Sequence, residues 1–284
     1  MVRFFDGRAV LYRLIEEILD QSSDTKQDIY IALHRDNSNY YKAAEVSARE
    51  KGQAFGYLGF NVHFVASDQM LNRDYQRAFV QLERPPLVIF QRPFPETVVE
   101  AFKRAVPVLD LDTISTDQIF QGASAVTEAV TRLLRALTQI DPLVVVVGGR
   151  GRFGSQIVHT AQNMGLRTES VDIGDDREII QRAAIVVSAV GKPGIITPGD
   201  LGPGLRFLID VGFNVIEGTP RQYCGDIDPR CYRLARLVTP VPGGVGPLQV
   251  ATLIERATWA ATQREIPRWD ISKMLLPLYS RGEV

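Results

Sequence analysis

Hydrophobic and polar positions along the chain predict helices and strands in alternation. A helical pattern over residues 7–21 is followed by the apolar run "DIYIALH", and a second helical pattern over 40–59 is followed by "NVHFVA". The order continues with a helix over 71–82, the run "PPLVIFQ", the helix "PETVVEAFKRA" and the run "VPVLDLD". Because strands that alternate with helices build parallel sheets covered by helices, the pattern predicts an α/β fold.

A second series of the same kind follows a long helical pattern over 123–140. It begins with "PLVVVVGGRGRFGSQIVHTAQNMG", and its further predicted strands are "TESVDI", "AAIVVSAV", "LRFLIDVG" and "ARLVTPV". We therefore predict two α/β domains with a cleft between them, the second a Rossmann-like doubly wound parallel sheet. The predicted domains are residues 1–125 together with 256–284, whose helices return to the first domain, and residues 126–255.

Composition narrows the classes of protein that fit this fold. The chain of 284 residues is 45% hydrophobic and 23% charged and has a net charge of −1, so no basic excess indicates a nucleic-acid partner. Two cysteines, Cys224 and Cys231, and three scattered histidines predict neither a disulfide scaffold nor a metal site. Charges interrupt the apolar pattern at the start of the chain and no run is long enough for a membrane span. We expect a cytoplasmic protein without a membrane partner.

The most specific local pattern is Gly149-x-Gly151-x-x-Gly154, which follows a β-branched strand and precedes a helix. Glycines there let the backbone approach a pyrophosphate at the helix N-terminus, and the alternative is a tight turn that binds no nucleotide. The next strand ends near Asp172, whose carboxylate would accept hydrogen bonds from ribose hydroxyls and repel a 2′-phosphate. This favours NAD over NADP, which stays open because rival carboxylates (Asp175, Asp176) and arginines that could reach a phosphate (Arg150, Arg152, Arg167) lie nearby.

Three further loops follow predicted strands. "VVSAVGKPGIITPGDL" places Gly191, Lys192 and Pro193 after one strand, and "LIDVGFN" places residues 210–212 after another. The segment "TPVPGGVGP", residues 239–247, holds too many prolines and glycines for a helix or a central strand, and a helix is expected from about Leu248. Because the carboxyl ends of parallel strands share one edge, we expect these loops to converge on one crevice.

Together these segments carry a family resemblance. "GRGRFG", "AVGKPGIITPGDLGPG", "IDVGFN", "CGDID" and "VTPVPGGVGPLQVATLIE" stand in the order and spacing of the methylenetetrahydrofolate dehydrogenase/methenyltetrahydrofolate cyclohydrolase family, over residues 142–261. "FFDGRAV", "PPLVIFQRPFPETV" and "VLDLDT" resemble segments of its more divergent N-terminal half. The resemblance implies NAD(P)-dependent oxidation of 5,10-methylenetetrahydrofolate, then hydrolysis to 10-formyltetrahydrofolate, by a homodimer.

The resemblance also implies roles for particular residues. Lys51, its pKa lowered by desolvation in the cleft, would manage protons; Gln91 would orient it, and Asp112 would accept hydrogen bonds from the pterin. Ser47 and the loop residues Pro242, Gly243, Gly244 and Val245 would contact the folate. The cofactor would be bound by Gly149, Arg150, Gly151, Arg152, Phe153, Gly154, Asp172, Val190, Gly191, Lys192 and Pro193.

The chain departs from the family pattern in its first half. Of the family's Tyr-x-x-x-Lys pair, one alignment offers Tyr41 with Glu45, and another, which keeps Gly59 in register and is preferred, offers Ser47 with Lys51. Arg92 stands where the family usually has leucine, and "SAVTEA" replaces its Cys-Thr-Pro-x-Gly segment. The cyclohydrolase step is therefore left open. Two alternatives remain: a dehydrogenase of the same fold with another substrate, and a folate- or nucleotide-binding homologue with impaired catalysis.

Overall fold

A computed structural model of the chain describes residues 2–21, 27–35, 39–115, 117–137, 142–216 and 222–271. It divides into two compact units. The larger unit comprises Met1–Leu14, Ala123–Thr252 and Arg268–Val284, and the smaller unit comprises Ile15–Gly122 and Leu253–Pro267. The last part of the segment predicted to return to the first domain, residues 272–284, lies outside the described residues.

The strands and helices follow the predicted alternation. The strands are β1 (Arg3–Phe4), β2 (Asp28–Leu33), β3 (Asn61–Ala66), β4 (Leu87–Gln91), β5 (Leu109–Asp110), β6 (Val144–Val147), β7 (Thr168–Val171), β8 (Ile185–Ser188), β9 (Phe207–Asp210), β10 (Asn214–Ile216), β11 (Gln222–Cys224) and β12 (Leu237–Thr239). The helices are α1 (Gly7–Asp20), α2 (Asn39–Tyr57), α3 (Ser67–Met70), α4 (Arg73–Val80), α5 (Glu96–Ala105), α6 (Ala125–Leu137), α7 (Arg152–Asn163), α8 (Glu178–Gln181) and α9 (Val245–Thr262).

The larger unit is built on a parallel sheet in the order β1-β12-β9-β8-β6-β7. Strand β6, which lies between β8 and β7, is four valines, each less than 5% exposed. This is the continuous apolar run expected of a strand covered on both faces. From β6 the chain moves to β7 on one side and later to β8 on the other. This reversal of direction confirms the predicted doubly wound sheet and creates a crevice at the carboxyl ends of β6 and β8.

The smaller unit is built on a parallel sheet in the order β3-β2-β4-β5. Strand β4 is buried along its whole length. The core beside this strand includes a group of phenylalanines, in which Phe102 meets Phe79 and Phe90 edge to face at centroid distances of 5.6 and 6.4 Å. None of the helices formed by the described residues has the length and apolar character that crossing a membrane requires.

Strand β5, helix α9 and strand β1 are among the elements that differ from the sequence prediction, and each difference has a physical reason. Strand β5 is only two residues long because the Asp110 carboxylate accepts a hydrogen bond from the Asp112 N–H, at 3.0 Å, and turns the chain. Helix α9 begins at Val245 rather than near Leu248, since Pro247 is tolerated in a first turn. Strand β1 was not predicted, because two residues show no periodicity and it exists only by pairing with the distant β12.

Candidate active site

The predicted site residues fall into two sets, one in each unit. In the smaller unit Lys51, on α2, is 1% exposed. Its Nζ donates hydrogen bonds to Ser47 Oγ at 2.6 Å and to Gln91 Oε1 at 2.8 Å. Ser47 lies one helical turn before Lys51, and Gln91 is the last residue of β4. The helix and the strand end therefore hold the amine between two neutral oxygens.

Burial dominates the electrostatics of this amine. Desolvation lowers the pKa of Lys51 to about 8, while the Asp112 and Glu50 carboxylates act in the opposite direction. An amine with a pKa near the working pH can both accept and release a proton. The arrangement is therefore suited to proton transfer.

Strand ends position the other two predicted catalytic residues. Gln91 Nε2 donates to the Arg92 carbonyl oxygen at 3.1 Å, which turns Oε1 toward Lys51. Asp112 follows β5, whose Asp110 pairs with Val88 of β4 and is held by Lys103 at 2.6 Å. The carboxyl edge of the sheet thus brings Gln91 and Asp112 into the electrostatic environment of Lys51.

The two competing alignments of α2 differ in geometry. Ser47 contacts Lys51, whereas Glu45 pairs with Arg49 on its own helix at 2.8 Å. Arg92, the departure from leucine, donates to the Phe94 carbonyl oxygen and to Glu96 within its own turn, at 2.9 and 2.8 Å. Its charge is therefore paired locally.

In the larger unit, the glycine turn (residues 148–154) joins β6 to α7. A Cβ on Gly154 would lie 2.0 Å from the Gly148 carbonyl oxygen, and one on Gly149 would lie 2.3 Å from Ser170 Cβ. Only glycine fits at these two positions. Helix α7 begins after Gly151 without a side-chain cap, so its N-terminal N–H groups present positive charge at the turn. This tight, uncapped turn fits the pyrophosphate of a dinucleotide.

Acidic residues and one arginine gather where β7 ends. Asp172 Oδ2 accepts the Arg150 backbone N–H at 2.8 Å, and the Arg150 guanidinium donates to both oxygens of Asp175 at 2.8 and 2.9 Å. This pairing raises the pKa of Arg150 and lowers the pKa of Asp175. The position that reads the adenosine ribose in dinucleotide folds is therefore occupied by carboxylates and an arginine that they engage.

The loop after β8 is held from inside the protein. Asp226, in the "CGDID" segment, accepts hydrogen bonds from the backbone N–H groups of Val190, Gly191 and Lys192. Lys192 and Pro193 are exposed on the same loop. The sequence did not indicate a role for Asp226, because the residues that it contacts lie more than thirty positions earlier in the chain.

The loop at residues 239–247, which we name the proline–glycine loop, is shaped by backbone contacts. Gly244 N–H donates to the Pro240 carbonyl oxygen at 2.7 Å, and Gly7 N–H donates to the Gly243 carbonyl oxygen at 2.9 Å. A Cβ on Gly7 would lie 2.0 Å from the Gly244 oxygen, which accounts for the glycine in "FFDGRAV". Pro242 is exposed, whereas Gly244 and Val245 are buried. Pro242 is thus an exposed part of the loop that a ligand could contact, whereas Gly244 and Val245 shape the loop from inside.

A doubly wound sheet with a glycine turn at its switch point defines a dinucleotide-binding α/β protein. Residues 123–265 match the family described as tetrahydrofolate dehydrogenase/cyclohydrolase, NAD(P)-binding domain. The chain belongs to this family.

Two relatives and a solved structure resemble this chain, and the second relative and the solved structure do so over more than nine tenths of its length. The bifunctional protein FolD of Methanospirillum hungatei is 43% identical over 89 residues, which cover 31% of this chain and 30% of that protein. The FolD of Mycoplasma pneumoniae is 26% identical over 275 residues, or 92% of this chain and 99% of that one. The structure of the bifunctional FolD methylenetetrahydrofolate dehydrogenase/cyclohydrolase from Campylobacter jejuni has a TM-score of 0.72 at 21% identity, covering 93% of this chain and 100% of that chain.

Proposed function

We propose that this protein oxidises 5,10-methylenetetrahydrofolate to 5,10-methenyltetrahydrofolate with NAD(P), and then hydrolyses the product to 10-formyltetrahydrofolate. The environment of Lys51 carries the proposal. Its amine is buried and donates a hydrogen bond to Gln91, and burial lowers its pKa to about 8. The family to which the chain belongs and the bifunctional relatives support the same two steps.

The oxidation step needs positioning more than acid–base help. The substrate nitrogens stabilise the cation that forms as a hydride leaves the bridging carbon, and NAD(P) held at the glycine turn would supply the hydride acceptor. The protein contributes the glycine turn, the loop after β8 and the proline–glycine loop as contact surfaces. Asp112 is proposed to accept hydrogen bonds from the pterin.

The hydrolysis step needs a proton carrier. Water attacks the methenyl carbon and loses a proton. The carbon–nitrogen bond to N5 then breaks as N5 gains a proton, and the remaining hydroxyl proton leaves to the solvent as the formyl C=O forms. Neutral Lys51 is the proposed acceptor of the first proton and protonated Lys51 the donor of the second. Gln91 and Ser47 accept hydrogen bonds from Nζ and fix its direction.

NAD is the proposed cofactor in preference to NADP. Asp172 and Asp175 place negative charge at the end of β7, and Asp175 holds the Arg150 guanidinium through both its oxygens. A 2′-phosphate would meet these carboxylates and would have to compete for Arg150. A homodimer is also proposed, through the larger units.

The test is a turnover assay of purified protein with 5,10-methylenetetrahydrofolate and either NAD or NADP. Reduced cofactor and methenyl product are followed separately, for the wild type and for Lys51→Met. We expect reduced cofactor without accumulated methenyl product in the wild type. In Lys51→Met we expect oxidation to persist and hydrolysis to fall about 10²- to 10⁴-fold, the usual contribution of a general acid–base group.

Lys42→Met on the same helix is the matched control and should behave as the wild type. Absence of turnover with both cofactors would refute the proposal. If NAD still bound, that result would favour a different substrate or a non-catalytic binding protein.

A further inference from the structure

A fully buried carboxylate in the larger unit has no part in the proposed chemistry. Asp226 is 0% exposed and lies between β11 and β12. Its Oδ2 accepts from Ser188 Oγ at 3.0 Å, Val190 N at 2.8 Å and Gly191 N at 3.0 Å. Its Oδ1 accepts from Lys192 N at 2.9 Å and Asn214 Nδ2 at 3.1 Å. A buried charge with this many donors is well compensated.

Three of these donors are consecutive backbone N–H groups. Residues 190–192 curl around the carboxylate. Gly191 has a φ of +75°, a backbone conformation that residues with a side chain rarely adopt. Successive N–H groups that converge in this way form a concavity of the kind that binds phosphates and other anions. Here the protein's own carboxylate fills it.

We propose that Asp226 is a positioning residue for dinucleotide binding, which holds the 190–192 loop in its binding conformation. The proposal rests on the cofactor use proposed above. The loop follows β8 at the switch point, where a Cβ on Gly148 of the glycine turn would lie 2.8 Å from the Ala189 carbonyl oxygen. The glycine turn and helix α7 would hold the dinucleotide phosphates, and the 190–192 loop would meet the cofactor with its outward-facing groups.

A second carboxylate holds Asp226 in place. Asp210 Oδ1 accepts the backbone N–H groups of Asp226 and Gly212, each at 3.0 Å, and its Oδ2 accepts that of Ile227 at 2.9 Å. A Cβ on Gly212 would lie 2.0 Å from Asp226 Oδ1, and one on Gly225 would lie 2.0 Å from Asp210 Oδ2. Each carboxylate thus packs against a glycine beside the other, which explains both "IDVGFN" and "CGDID".

A loop fixed before the ligand arrives lowers the entropy cost of binding. Asp226→Asn replaces one accepting oxygen with a donor that faces N–H groups of the loop. We expect the Kd for NAD, measured by calorimetry on folate-free protein, to rise about tenfold or more, as unsatisfied buried donors would require. We also expect hydrogen exchange at residues 190–192 to accelerate, and the KM for the cofactor, not that for the folate, to rise.

Matched controls separate the loop contacts from the burial of Asp226 itself. Ser188→Ala and Asn214→Ala each remove one donor to Asp226 and leave the three loop bonds intact. Both should keep the Kd for NAD within about threefold of the wild-type value, the effect of one hydrogen bond. A rise in these variants equal to that in Asp226→Asn would overturn the proposal.

Two further measurements apply if Asp226→Asn does not fold. In the wild type the amides of residues 190–192 should exchange slowly despite lying in a loop. Gly212→Ala should weaken NAD binding as Asp226→Asn does, because its Cβ would displace the Asp226 carboxylate. Fast exchange in the wild type, or unchanged NAD affinity in Gly212→Ala, would overturn the proposal. A wild type that binds neither NAD nor NADP would instead refute the cofactor use itself.

Discussion

Lys51 in the smaller unit and Asp226 in the larger unit are both buried charged residues, but their hydrogen-bond environments differ. Lys51 donates to two neutral side-chain oxygens, and burial lowers its pKa to about 8. Asp226 accepts from three backbone N–H groups and two side chains. A buried charged group with few hydrogen-bond partners changes its protonation state readily. One with many partners keeps its charge and holds the groups around it in place. The comparison separates a reactive position from a positioning one.

Asp210 stands between these extremes. Three backbone N–H groups stabilise its charged form, yet burial and the neighbouring Asp226 outweigh them and raise its pKa to about 7. An anchor that neighbours another carboxylate is therefore itself partly protonated near neutral pH.

The largest predicted stability effect concerns Asp210. A carboxyl group whose folded-state pKa is raised from 3.8 to about 7 stabilises the protein fully below pH 3.8 and loses that contribution as pH rises through 7. A shift of this size corresponds to about 4 kcal/mol. Urea unfolding of the wild type and Asp210→Asn between pH 4.5 and 7.5 should show the wild type losing stability relative to the variant. A difference that does not change with pH would show that Asp210 stays ionised.

The contribution of Lys51 to stability should depend on pH in the opposite direction and at alkaline pH. Its folded-state pKa lies below its unfolded value of 10.5, so its contribution is present above pH 10.5 and is lost as pH falls through 8. The wild type should therefore gain about 3 kcal/mol relative to Lys51→Met between pH 8 and 10.5. Urea unfolding across this range measures the gain. Lys42→Met should give no such trend against the wild type, and a matching trend there would contradict the prediction.

Gln91→Glu would convert the weakly compensated amine into an ion pair. A carboxylate in place of the neutral oxygen 2.8 Å from Nζ should raise the pKa of Lys51 by about 1–3 units. The enzyme-dependent rate of methenyl hydrolysis should then rise only at correspondingly higher pH. Ser47→Ala, which removes a neutral acceptor, is the control and should not move the profile upward. An unshifted profile in Gln91→Glu would mean that another group carries the proton.

Much of the fold and part of the candidate site could be predicted from the sequence, wherever a local pattern was enough to indicate them. Periodicity and run length predicted most of the helices and the longer strands. The glycine spacing after a β-branched strand predicted the turn, in which only glycine fits at Gly149 and Gly154. The resemblance indicated Lys51 and Gln91, which the structure joins by a hydrogen bond.

The remainder depends on contacts between distant parts of the chain. Asp226 contacts loop residues that lie more than thirty positions earlier, and no local pattern reports such a bond. The ion-pair partner of Arg150 could not be predicted either, because a sequence does not show which of several nearby carboxylates an arginine will contact.

An exposed charge pair gives the smallest expected effect and extends the comparison to the protein surface. Asp175→Asn should free the Arg150 guanidinium and remove one negative charge, so the ratio of kcat/KM with NADP to that with NAD should rise several-fold. Steady-state kinetics with both cofactors at two salt concentrations measure this ratio. Asp176→Asn removes the same charge without breaking a bond to Arg150, since Asp176 caps the Glu178 N–H. An equal rise in both variants would show that net charge, rather than release of Arg150, sets the cofactor preference.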